Sequence, residues 1–86
     1  MAQVVMYSSA FCPFCFRASR LLASKDVEVD VRTVDADPTL RAEMMERSGR
    51  HTVPQIFVGE THVGGCDDLF ALEASGELDP LLESAT

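Results

Sequence analysis

Val4, Val5, Met6 and Tyr7 follow Gln3 as an unbroken apolar run that ends at Ser8 and Ser9. No polar residue alternates through it, so the run predicts a central strand over residues 3–7 with both faces covered. Beyond the loop Ser8-Ser9-Ala10-Phe11, apolar residues recur at helical spacing at Ala18, Leu21 and Leu22, with Arg17 and Arg20 pointing outward. This predicts a helix from about Pro13 to Ser24, and Lys25 suits its negative end. From Glu28 to Val34 the pattern changes to alternation, with Val27, Val29, Val31 and Thr33 on one side and Glu28, Asp30 and Arg32 on the other. A half-exposed strand is the expectation, completing a right-handed βαβ unit with a parallel pair.

Asp37-Pro38 combines an N-cap residue with a first-turn proline and opens a predicted helix from about Pro38 to Ser48. Leu40, Met44 and Met45 are expected to face inward, and Gly49 ends the helix. Gln55 to Val58 and Thr61 to Val63 are short runs joined through Gly59-Glu60, a β-hairpin signal. Gly64-Gly65 leads into a third helix beginning at Cys66-Asp67-Asp68, with Leu69, Ala71 and Leu72 inward and Gly76 as its stop. Asp79-Pro80 opens a last helical turn anchored by Leu78, Leu81 and Leu82. The predicted fold is α/β: a βαβ unit plus a ββα unit, forming a four-stranded mixed sheet with helices on both faces.

Eighty-six residues are expected to form a single domain, 1–86. A composition of 47% hydrophobic and 24% charged residues is that of a globular protein. The formal charge of -7 argues against nucleic acid or an anionic membrane as partner. No basic, apolar leader is visible at the N-terminus and no stretch approaches the ~18 apolar residues of a membrane span, so the cytoplasm is the expected location. Three cysteines do not make a disulfide framework in a reducing compartment; a CxxC pair there is metal-binding or redox-active. Zinc is disfavoured, because Cys66, His51 and His62 lack the spacing of a second ligand pair.

Chemistry concentrates in Cys12-Pro13-Phe14-Cys15. With Pro13 as the first helical residue, Cys12 becomes the N-cap, where unpaired backbone N–H groups and the helix dipole stabilise a thiolate. Cys15 lies one turn on, on the same helix face, close enough for a disulfide but more buried. An attacking thiolate and a resolving partner are the expected roles.

Cys12-Pro13-Phe14-Cys15, then Thr52-Val53-Pro54, then Gly64-Gly65-Cys66-Asp67-Asp68-Leu69, in this order and spacing, resemble the dithiol glutaredoxins of the thioredoxin-like fold. The resemblance covers nearly the whole chain and is nearest to the small bacterial type. It implies a glutathione-disulfide oxidoreductase with glutathione as cosubstrate, and glutathionylated or disulfide-bonded proteins as partners of a monomer. Cys12 and Cys15 would be catalytic. Pro54 would be cis, an isomer the residue alone leaves open, and Val53 would present its backbone to glutathione, with Thr52 beside it. Gly65, Cys66 and Asp67 would form the second half of the site, Asp67 accepting from the ligand's ammonium, whereas Asp68 serves the helix dipole. Cys66 is read mainly as a small buried hydrophobe.

Two departures stand out. The family's lysine shortly before the first cysteine is absent from Ser8-Ser9-Ala10, and Arg50 is the expected substitute for the glycyl carboxylate, ahead of Arg47 or His51. The family's tyrosine between the cysteines is Phe14, which keeps a ring but no hydroxyl. His51 and His62 receive no catalytic role, and His62 is expected to face solvent. No metal is expected. Alternatives are a thioredoxin-like reductant and a carrier of a [2Fe–2S] cluster held through Cys12; Pro13 makes a cluster less accommodating.

Overall fold

The computed structural model describes residues 3–84. The elements run β1 (Val4–Ser8), α1 (Pro13–Ala23), β2 (Val29–Thr33), α2 (Pro38–Ser48), β3 (Gln55–Val58), β4 (Thr61–Gly64), α3 (Cys66–Ser75) and α4 (Leu78–Ser84). The sheet order is β2-β1-β3-β4, with β1 parallel to β2 and antiparallel to β3, and β3 antiparallel to β4. Every residue of β1 and β3 is buried, as their continuous apolar character requires of interior strands.

Alternation along β1 divides the core in two. Val4 and Met6 join Ile56 and Val58 beneath α1, α3 and α4, where Ala18, Leu22, Leu69 and Leu78 are fully buried. Val5 and Tyr7 join Phe57 on the opposite face, beneath Met44 of α2. Helices therefore cover both faces, as the sequence predicts. The Tyr7 hydroxyl donates to Glu43 and accepts from Arg47 at 2.9 Å, so a buried polar tip is satisfied by α2 itself. That bond, followed by the Arg32 contact, holds the Glu43 carboxyl below its ordinary range.

Local signals set the helix ends. The Asp37 carboxylate accepts the Thr39 and Leu40 N–H groups at 3.0 and 3.2 Å, and Gly49 closes α2 in the left-handed conformation at φ 71°. Lys25 reaches Glu73 at 2.7 Å and Asp79 at 2.9 Å, tying the segment after α1 to α3 and α4. Among the described residues no helix is long and apolar enough to cross a membrane.

Four side chains expected inside are outside: Val31 and Thr33 of β2, Met45 and Ala71. Val31 is 48% exposed, because β2 is an edge strand with a neighbouring strand on only one side. Met45 is 46% exposed: α2 packs through one narrow row at Met44, and the next residue lies about 100° around the helix. Ala71 is exposed likewise, two positions beyond the buried Leu69.

Candidate active site

Pro13 does open α1, and Cys12 is its N-cap, with extended backbone angles of φ -131° and ψ 100°. Cys12 and Cys15 are joined as a disulfide with their Cα atoms 5.2 Å apart. The two sulfurs differ in access: Cys15 is 3% exposed, whereas Cys12 is half-buried. The Cys15 N–H donates to the Cys12 sulfur at 3.1 Å. On reduction the same N–H and the helix dipole favour a thiolate at Cys12, and no acidic residue in the first turn opposes it.

The loop that delivers Cys12 is held by the turn after β2, which leaves the sheet at the same end because β1 and β2 are parallel. Asp35 accepts the Ala10 N–H at 2.8 Å and the Ser9 hydroxyl at 2.6 Å. These two bonds, the backbone one first, keep its carboxyl below the ordinary range. Sequence reasoning missed Asp35; its only signal was an aspartate in the turn after β2.

A second loop shares a groove with Phe14. The Val53–Pro54 peptide bond is cis. Directly after it, Gln55 is buried, and its amide donates to the Thr52 carbonyl at 3.1 Å and the Thr52 hydroxyl at 3.3 Å. The Gln55 oxygen in turn accepts from His62 Nε2 at 2.8 Å. His62 therefore does not face solvent: its ring stacks on Phe57 at 4.8 Å, on the sheet face that carries α2. Burial, ahead of the Arg50 charge, holds its pKa below the ordinary value. A lone polar residue heading an apolar strand was the available signal for Gln55.

The third wall is the start of α3. Gly65 is its N-cap and has no side chain to offer, so no cap group occupies the first-turn N–H donors. The Asp68 carboxylate instead reaches back to the Gly65 N–H at 2.9 Å and accepts from Arg50 at 3.2 Å. The backbone bond first, then Arg50, lowers the Asp68 pKa. Asp68 thus locks the helix start to the Arg50 loop, more than the dipole role the sequence suggested. Gly64, at φ 112°, has no room for a Cβ, which would run into that carboxylate. Cys66 is buried, and burial pushes its thiol up.

These walls enclose an open groove of about 230 Å³. Phe14 lines it from α1; Arg50, Thr52, Val53 and Pro54 line it from the loop; and Gly65, Cys66 and Asp67 line it from α3. All eight binding residues expected from the sequence therefore meet in one place, together with Gln55 and Asp68. Arg47 does not join them, because its guanidinium lies 4.1 Å over the Phe57 ring and binds Tyr7. Phe14, which lines this groove, stands between the two disulfide-bonded cysteines in the chain, and a disulfide so placed can exchange with a thiol brought beside it.

Known proteins agree with this geometry. The family model described as glutaredoxin matches residues 4–63. A glutaredoxin of Pseudomonas aeruginosa is 54% identical over 84 residues, covering 98% of this chain and all of that protein. The solution structure of a glutaredoxin from Brucella melitensis superposes with a TM-score of 0.87 at 55% identity, covering 100% of this chain and 94% of that one. A crystal structure of a buckwheat glutaredoxin–glutathione complex gives a TM-score of 0.88 at 26% identity, over 98% and 79% of the two chains. The chain thus belongs to the glutaredoxin family, thiol–disulfide oxidoreductases of the thioredoxin-like fold.

Proposed function

We propose that this protein reduces protein–glutathione mixed disulfides and protein disulfides with glutathione as electron donor, as a monomer in the cytoplasm. The observation that carries the reading is the continuity of the groove from Phe14, between the cysteines, to the uncapped start of α3. An extended tripeptide suits such a groove. Its backbone pairs with Val53, its γ-glutamyl carboxylate takes the first-turn N–H groups of α3, and its ammonium meets Asp67. Arg50 keeps N–H donors beyond the one bound to Asp68 and offers them to the glycyl carboxylate. The buckwheat complex supports glutathione as the ligand of this fold.

In the first reaction the Cys12 thiolate attacks the glutathione sulfur of a mixed disulfide. A Cys12–glutathione bond forms, the old S–S bond breaks, and the protein leaves as a thiolate that takes a proton. A second glutathione thiolate attacks the bound glutathione sulfur, releasing glutathione disulfide and restoring the Cys12 thiolate. In the second reaction Cys12 attacks a protein disulfide and Cys15 then attacks the Cys12 sulfur. The substrate leaves as two thiols, and its two electrons come from the pair that becomes the Cys12–Cys15 disulfide. Two glutathiones return that disulfide to the dithiol.

Turnover coupled to glutathione and glutathione reductase, compared with thioredoxin reductase, tests the donor. A rate seen only with thioredoxin reductase refutes the reading. Cys12→Ser should abolish both reactions, whereas Cys15→Ser should retain deglutathionylation and lose protein-disulfide reduction. Equal loss in both variants would overturn the division of roles.

A further inference from the structure

The surface beside the disulfide differs from the rest of this acidic chain. Phe11 is 98% exposed, Phe16 64%, Phe14 54% and Phe70 37%, so four of the five phenylalanines face solvent. On α1, Phe14, Phe16, Arg17, Arg20 and Leu21 fall on one arc of about 160° at ~100° per residue, opposite the buried Cys15, Ala18 and Leu22. Arg17 and Arg20 flank a second groove, of about 360 Å³, with Leu21 and Phe70. It shares no residue with the groove assigned to glutathione.

The two arginines are unusual in this chain. The other five cationic side chains each bind a protein acceptor: Lys25, Arg32 and Arg50 carboxylates, Arg47 a hydroxyl and Arg41 a carbonyl. Among the described residues, Arg17 and Arg20 bind none, and α1 contains no acidic residue. Their guanidinium groups lie over aromatic rings instead, Arg17 at 5.6 Å from the Phe70 ring centre and Arg20 at 5.9 Å from that of Phe16. A guanidinium held over a ring rather than against an acceptor keeps its N–H donors available to a carboxylate.

We propose that this face of α1, with Phe70, docks the disulfide-bonded protein substrate and selects segments that carry a carboxylate and an apolar side chain beside the disulfide. Two unpaired cations on a chain of charge -7 supply the charge complementarity, and exposed rings beside Cys12 supply the apolar contact. The inference rests on the protein-disulfide reaction proposed above. Mixed disulfides of small thiols, bound in the other groove, share Phe14 with this face but do not need Phe16, Arg17, Arg20 or Phe70.

The test uses three synthetic cyclic disulfide peptides that differ at two positions beside one cysteine, Glu, Gln or Lys, next to a constant leucine. Reduction is coupled to glutathione and glutathione reductase, and the mixed disulfide of glutathione with 2-mercaptoethanol is the control. Expected kcat/KM falls in the order Glu, Gln, Lys, by about fivefold in all, with the difference fading at about 0.5 M salt. In the double variant Arg17→Gln/Arg20→Gln the three peptides become equal, while the control rate stays within about twofold. Phe16→Ser lowers the rate on all three peptides alike and spares the control.

Equal rates on the three peptides with the unaltered protein would overturn the docking surface and leave the reaction standing. So would a double variant that slows the control as much as the Glu peptide. Reduction of the control but of no peptide would instead refute the protein-disulfide reaction, and the docking proposal with it.

Discussion

Gln55 is the point where core packing and the binding groove meet. Its buried amide makes three hydrogen bonds: two donations to Thr52, at 3.1 and 3.3 Å, and one acceptance from His62 at 2.8 Å. Gln55→Leu keeps most of the volume and removes all three bonds. Each is worth about 0.5–1.5 kcal/mol net, but Thr52 is exposed and His62 half-buried, so their freed groups regain water and the low end applies. Leucine also recovers some apolar burial, which leaves a net cost of roughly 1 kcal/mol and a fall in Tm of about 4–8 °C. The larger consequence is functional, because the amide is the side-chain tether of the Thr52–Val53 segment. A loss of about 1 kcal/mol of preorganisation in that segment weakens glutathione binding roughly fivefold. Steady-state assays should therefore show the KM for glutathione up about fivefold and kcat at saturation within about twofold. Gln55→Glu keeps the acceptor for His62 but cannot donate to Thr52, so it should share the rise in KM. An unchanged KM in both folded variants would refute the tether.

Three further outcomes follow from burial and charge. Met44→Ala should cost about 2–5 kcal/mol in denaturant unfolding, and Met45→Ala less than about 0.5 kcal/mol, since only the first fills the core beneath α2. Because the folded protein holds the His62 pKa below its unfolded value, the neutral ring's contribution is complete above about pH 6.5 and is lost as pH falls through that value toward the folded one. Unfolding measured from about pH 7.5 to 5 should show this loss in the unaltered protein and a shallower slope in His62→Gln; identical slopes would contradict it. Gly64→Ala should destabilise by more than about 1 kcal/mol, through positive φ and collision with the Asp68 carboxylate, and thermal melts would detect it.

Legibility in the sequence tracked the range of the interaction involved. Asp37-Pro38 and Gly49 bounded α2 because caps act within a turn, and Cys12-Pro13 opened α1 for the same reason. Alternation and apolar runs separated strands from helices, since side-chain period is a property of the local backbone. The residues that motif order proposed for binding, from Phe14 to Asp67, lie together along one groove. What each side chain meets was decided only in three dimensions. Val31 is outside because β2 became an edge, and His62 is covered because β4 pairs it with Phe57, which no spacing along the chain announces. Arg50 and Asp68 stand 18 positions apart, and only the packing of α3 beside the Arg50 loop brings their charges to 3.2 Å. Local backbone chemistry is written in neighbouring residues; pairing between elements depends on how the whole chain closes its core.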